Sequence, residues 1–226
     1  MSFFATQITD EWGTSYMPTT AGFTALVIVM LAIFFIGCAL FGAKKKFSVK
    51  QLVFSAMAIA LAFVTSFLKV IDMPMGGSVT LLSMLFIVLI GYWYGLGAGL
   101  TAATAYGILQ LVIDPYIISF PQMLVDYVFG FGALGLSGIF SKSKSKHNLL
   151  FCYGIGVLGR YFFTFLSGWI FFATYTPEFF NSAVIYSLAY NGAYLGLEAL
   201  ITLVIISLPP VSKALAHVKE LALSNV

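Results

Sequence analysis

Apolar runs follow one another along almost the whole chain, and most are longer than the buried segments of a water-soluble domain. Runs with little or no charge occupy about 22–42, 50–70, 79–94, 97–113, 120–140, 148–174 and 183–208. About 20 mostly apolar residues carry a helix across about 30 Å of hydrocarbon. The pattern therefore predicts an all-α membrane protein with about seven spans. The third and fourth runs are separated only by Gly95 and Leu96, beside Tyr92, Trp93 and Tyr94. This predicts a tight hairpin at one membrane face, with amphipathic rings at the headgroup level.

Composition agrees: 61% of the 226 residues are hydrophobic and 8% are charged, against roughly a quarter charged in an ordinary soluble domain. A soluble globular reading is excluded. The net charge of +3 points to no nucleic-acid partner, and its value lies in its placement. Lys44, Lys45, Lys46 and Lys50 follow the first run, Lys142, Lys144 and Lys146 the fifth, and Lys213 and Lys219 the seventh. Lysine near short loops stays cytoplasmic, which predicts a multi-pass protein of the cell (inner) membrane with its N-terminus outside and its C-terminus inside. Asp10, Glu11, Asp72, Asp114 and Glu178 then lie outside, with Lys69 as the cation there. The Gly- and Pro-bearing loops Met73–Ser78, Asp114–Tyr116 and Thr174–Glu178 also open outside, on the side from which a solute would be captured.

Cys38 and Cys152 both fall in apolar runs and read as small core residues rather than a disulfide framework. The first run begins only near Gly22 with no basic residue before it, so it reads as a span and not as a signal peptide. Phe35-Ile36-Gly37-Cys38 lies too far along to read as a lipidation site.

Ionisable side chains within a membrane are costly and are functional candidates by default. Three qualify: Asp126, Arg160 and Glu198. Each also has a structural reading as an ion-pair partner that ties helices together, and the residue types leave both open. Asp126 stands next to Tyr127 and one loop from Tyr116. In the last run Tyr186, Tyr190 and Tyr194 recur every four residues, and Asn191, Tyr194 and Glu198 share the same broad helix face. Packing accounts for such an aromatic stripe as readily as ligand contact, but the Asn191 amide needs partners if it is buried. Thr164, Ser167, Gly168, Phe171 and Phe172 form a similar polar and aromatic surface in the sixth run. His147 and His217 fall at the cytoplasmic ends, so no His-based metal site or nucleophile pair is built in the membrane. No GxxxxGK[ST] loop occurs. The expectation is a non-enzyme without cofactor or metal.

Four strings carry a resemblance. They are Met73-Pro74-Met75-Gly76-Gly77-Ser78-Val79-Thr80-Leu81, Pro121-Gln122-Met123-Leu124-Val125-Asp126-Tyr127, Arg160 to Gly168 (RYFFTFLSG), and Tyr186 to Tyr194 (YSLAYNGAY). In this order, over about residues 50–200, they resemble the thiamine-specific S component of energy-coupling factor (ECF) transporters. The resemblance implies a six-helix S-component-like bundle plus one extra N-terminal transmembrane helix. It also implies capture of thiamine or a related heterocycle at the outer face, and delivery inward with partners: a transmembrane coupling subunit and two ATPase subunits. Residue by residue, it places ligand contacts at Asp126 and Tyr127, Tyr116, Tyr186 and Asn191, and aligns Thr164 and Phe172 with site positions. It places docking to the coupling subunit on small residues of the span after residue 50, Ala56 and Ala60 and also Ala58 and Ala62, where four-residue spacing permits close approach.

Thr164 stands where the family usually has His, Phe172 where a Trp can stack, and Asp126 where Glu is usual. The domains expected are an extension at 1–46, a binding domain at 47–212 and a cytoplasmic tail at 213–226. A carboxylate among aromatic faces suits a flat cation. The rival readings are a stand-alone channel or secondary transporter, or a structural subunit of a membrane complex, but neither charged rings nor inverted repeats are visible.

Overall fold

In the computed structural model the described residues are 3–10, 13–22, 24–25, 28, 47–143, 145 and 147–224. Most of the predicted span at about 22–42, and with it more than half of the expected extension, lies outside them.

Helix α1 (Val49–Ser66) starts at a capping box, in which Ser48 Oγ accepts from Gln51 N and the Gln51 side chain accepts from Ser48 N. This satisfies two of the amide donors that a helix start leaves open. Leu52, Val53, Met57, Leu61 and Val64 form its exposed face, which is apolar as a lipid-facing surface must be. Ala58 and Ala62 point the other way and are 3% and 0% exposed. The two alanine pairs thus part company: Ala58 and Ala62 belong to the core, and only Ala56 and Ala60 lie on the exposed side.

The apolar run at 50–70 does not continue as helix to its end. After Ser66 the chain forms β3 (Lys69–Asp72), turns through Met73–Gly77 and returns as β4 (Ser78–Thr80). Another hairpin, β1 (Ala5–Asp10) with β2 (Gly13–Pro18), precedes the bundle. Neither hairpin was expected. The strands β1 and β2 lie before the first apolar run, and β3 and β4 are short segments that hydropathy alone does not separate from a helix.

Helix α2 (Ser83–Tyr94) is also shorter than the predicted span at 79–94. Its 12 residues are about 18 Å long, too short to cross a bilayer alone. It is the hub of the bundle, packed against α1, the next three helices and the final one and meeting the last span at its own first turn, and Met84, Ile87, Val88 and Ile90 are wholly buried. The expected hairpin is present: Gly95 alone links α2 to α3 (Leu96–Ile113), with a φ of 89° that only glycine adopts cheaply.

Helix α4 (Phe120–Phe140) changes pitch along its length. It widens into π-type turns over Leu124–Gly130 and tightens into 3-10 turns over Ala133–Phe140. The tight half lies on α3 so closely that a Cβ on Gly135 would come within 2.4 Å of Leu100 N. Helices α5 (Asn148–Phe171) and α6 (Ala183–Ser207) pair along their length. Five helices among the described residues, α1 and α3 to α6, are long and apolar enough to cross a membrane.

The stretch expected as a tail is structured from its start. Pro209 and Pro210 break the line of α6, and α7 (Pro209–Leu223) turns its Leu215, Val218 and Ala222 face onto the bundle. Lys219 Nζ lies 3.7 Å above the Tyr92 ring, and Lys50 Nζ donates to Ser224 O at 2.8 Å.

Candidate functional site

A cavity of about 390 Å³ opens at the end of the bundle that carries the β3–β4 hairpin, within the range of small-molecule sites. The opposite end holds Gly95, Ser141 and α7. The cavity collects residues from far apart in sequence: Ser66, Lys69 and Gly76 to Ser78, then Gln110, Tyr116, Gln122 and Asp126, and Arg160, Thr164, Phe172, Tyr186, Tyr190, Asn191, Tyr194 and Glu198. Every ligand-contact residue expected from the sequence lines it, Tyr127 included.

Asp126 sits on the π-type stretch of α4, a geometry frequent at functional sites. Its Oδ2 accepts from Gln122 Nε2 at 2.6 Å, and Ser167 and Arg160 are within electrostatic reach. Gln122 is itself held, since Nε2 also donates to Tyr116 O and Oε1 accepts from Ile118 N. Asp126 is therefore oriented by one neighbour but not saturated by it.

Tyr127 and Asn191 are less free than the sequence suggested. The Tyr127 hydroxyl accepts from Tyr116 N at 2.8 Å and donates to Asp114 O at 3.0 Å, so it anchors the loop after α3. Asn191 donates to Ser187 O and accepts from the Tyr194 hydroxyl at 3.1 Å. Thr164 directs its hydroxyl at the carbonyls of Arg160 and Tyr161. For a ligand, Tyr127 offers its ring and Thr164 its methyl and oxygen lone pairs. Tyr116 and Phe172 stack with centroids 5.9 Å apart and planes 24° from parallel, and Tyr186, Tyr190 and Tyr194 continue as a ladder along α6.

Three donors in the lining, Gln110 Nε2, Arg160 Nε and Ser167 Oγ, have no hydrogen-bond partner among the described residues by geometry, although Ser167 stands close to Asp126. Buried donors are almost always paired, so these three suit a ligand with acceptor atoms. The Arg160 guanidinium lies 3.9 Å from the centre of the Phe131 ring, and this cation offsets one of the two inner carboxylates, Asp126 and Glu198, of the three in the lining. At the mouth, Lys69 Nζ is 2.8 Å from Asp114 and 3.1 Å from Asp72. Partial burial lowers the pKa of Lys69, but the bonds to Asp114 and Asp72 outweigh it and hold the ammonium above its ordinary value.

Sequence reasoning passed over Gln110 and Gln122, although a lone amide inside an apolar run was the available signal. Glu198, which shares a helix face with Asn191 and Tyr194 in the sequence, lines the same cavity.

Comparison with known proteins gives concordant results. A family model described as thiamine transporter protein (Thia_YuaJ) matches residues 52–217. The thiamine transporter ThiT of Bacillus subtilis (strain 168) is 35% identical over 155 residues, which is 63% of this chain and 79% of that protein. A structure of ThiT from Listeria monocytogenes, determined by native-SAD phasing, superposes with a TM-score of 0.60. That match covers 71% of this chain and 94% of the other at 24% identity, and it speaks for the fold.

Proposed function

The chain belongs to the thiamine transporter family, and from that premise we propose that it is the substrate-binding subunit of an ECF-type transporter, taking thiamine or a close heterocyclic relative from the outer face. The observation that carries this reading is the pairing of Asp126, which has one strong hydrogen bond, with the stacked faces of Tyr116 and Phe172 in one cavity. A carboxylate supplies countercharge to a flat cation, aromatic faces supply stacking and cation-π contact, and the unpaired donors suit ring nitrogens. The cavity would face outside, with the N-terminus outside and the C-terminus cytoplasmic, because Lys50, Lys142 and Lys219 lie at the other end.

Binding requires only this chain, so the purified protein will bind thiamine without any ATPase partner. No described tryptophan lines the cavity, so isothermal titration calorimetry is the measurement. Folded protein that takes up neither thiamine nor its pyrimidine or thiazole fragments would overturn the reading.

The sequence has no phosphate-binding loop, so inward delivery falls to a coupling subunit with two ATPases. Ala56 and Ala60, on the exposed face of α1, are the small residues available for docking. Ala60→Trp will lower thiamine uptake in cells that contain the complete transporter, while the affinity of the isolated protein stays within about twofold of wild type, because close helix approach is lost and the cavity is untouched. Equal loss of binding and uptake would assign Ala60 to the fold instead.

A further inference from the structure

Glu198 is the one fully buried charged side chain among the described residues, at 2% exposure. A carboxylate removed from water is destabilising unless donors meet its oxygens. The donors around Glu198 all come from the five residues that join β4 to α2. Oε2 accepts from Thr80 N at 2.9 Å and from Thr80 Oγ1 at 2.8 Å, while Oε1 accepts from Ser83 Oγ at 3.2 Å and Met84 N at 3.4 Å. The Thr80 and Ser83 hydroxyls lie 2.6 Å apart, so while Thr80 donates to Glu198 the single Ser83 proton is shared between Glu198 Oε1 and Thr80 Oγ1.

This arrangement answers a local difficulty. Helix α2 begins inside the bundle after Leu82, a non-glycine residue at φ 65° with no side-chain cap of its own. The first amides of a helix need partners, and its positive end favours an anion. Glu198 supplies both from another helix. Two turns earlier on α6, the Tyr190 hydroxyl accepts from Gly77 N at 3.1 Å and donates to Pro74 O. Helix α6 therefore grips the mouth hairpin at its tip through Tyr190 and at its root through Glu198. Gly76, Gly77, Ser78 and Thr80 of that hairpin form part of the cavity wall.

We propose that Glu198 is a positioning residue for ligand retention: it fixes the root of the β3–β4 hairpin against α6 and acts on the bound molecule through residues 73–80, while Asp126 provides the countercharge. The proposal rests on the reading of the cavity as a thiamine site. It differs from a purely structural role in its kinetic signature, because a loosened wall changes escape more than capture.

The test compares wild type, Glu198→Gln and Thr80→Val, each purified as the full chain. Stopped-flow binding of thiamine gives association and dissociation rates, and hydrogen exchange of the ligand-free protein reports the tether without any ligand. Glu198→Gln should speed dissociation about fivefold, with association changed less than about twofold, the size and partition expected for one weakened hydrogen-bond cluster. Exchange should rise at 78–85 and stay unchanged in α5. Thr80→Val, which removes one donor to Oε2 and leaves the charge, should move both readouts the same way by a smaller amount. An unchanged dissociation rate, or exchange that rises through the whole bundle, would overturn the positioning role. Wild type that binds no thiamine would instead overturn the reading of the site, and the exchange result would still decide whether the tether exists.

Discussion

Asp126→Asn will weaken thiamine binding by about ten- to a hundredfold, the equivalent of losing about 1.5 to 3 kcal/mol of charge-assisted interaction. The substitution keeps the shape of the side chain and the contact with Gln122 Nε2 at 2.6 Å while removing the charge. Glu198→Gln will cost less, because that carboxylate is turned to Thr80, Ser83 and Met84 and not left for a ligand. Calorimetry on both variants with thiamine checks the order. A neutral ligand of similar shape will be nearly indifferent to Asp126→Asn, so the same pair of titrations reads the charge of the bound species. Equal losses from Asp126→Asn and Glu198→Gln with thiamine would show that the countercharge has been misplaced.

Gly107→Ala will have the largest effect on the fold. A Cβ at this position would stand 2.0 Å from Tyr127 O and 2.7 Å from Phe131 Cβ, and the nearer clash is with backbone that cannot rotate aside. Helix α3 must then move off α4 where α4 widens and presents Asp126. Overpacking usually costs about 1–3 kcal/mol and occasionally more, and a backbone clash belongs at the upper end. The variant will melt well below wild type in detergent, and the protein that remains folded will bind thiamine more weakly. Gly97→Ala, on the same helix with nothing within 4 Å of its added methyl, is the control and will leave melting unchanged or slightly raised. Similar melting of both variants would mean that the crossing of α3 and α4 tolerates separation.

How much of this was legible in the sequence follows from the kind of signal each feature leaves. Long apolar runs announce helices, and α3 to α6 begin and end close to their predicted limits. A one-residue link at Gly95 was legible because glycine and three aromatic residues coincide there. The runs at 50–70 and 79–94 misled about α1 and α2 because the strands Lys69–Asp72 and Ser78–Thr80 are apolar enough to extend a hydropathy window. Nothing local reveals that they pair with each other. The site residues were found mainly through quoted strings that resemble a family, and geometry then sorted them. Tyr127 and Asn191 proved to spend their polar atoms on their own chain, while Glu198 joined the cavity because α6 brings it beneath the hairpin. A bond such as Glu198 to Thr80, 118 positions apart, leaves no trace in local composition. The change of pitch in α4 is equally silent, since it arises where Gly107 and Gly135 let two backbones approach.

The short helix α2 also limits how matter could pass through this protein. A molecule resting above Ser83 has below it the 12-residue length of α2, about 18 Å, flanked by Met84, Ile87, Val88 and Ile90 with no exposed surface. Such a floor offers no file of water and no place for an ion to pause, so the isolated protein in a planar bilayer will carry no current even when its ligand is saturating. Traffic across it would be counted in rearrangements of the whole molecule, at most one solute for each, and would saturate at the rate of that movement however steep the gradient.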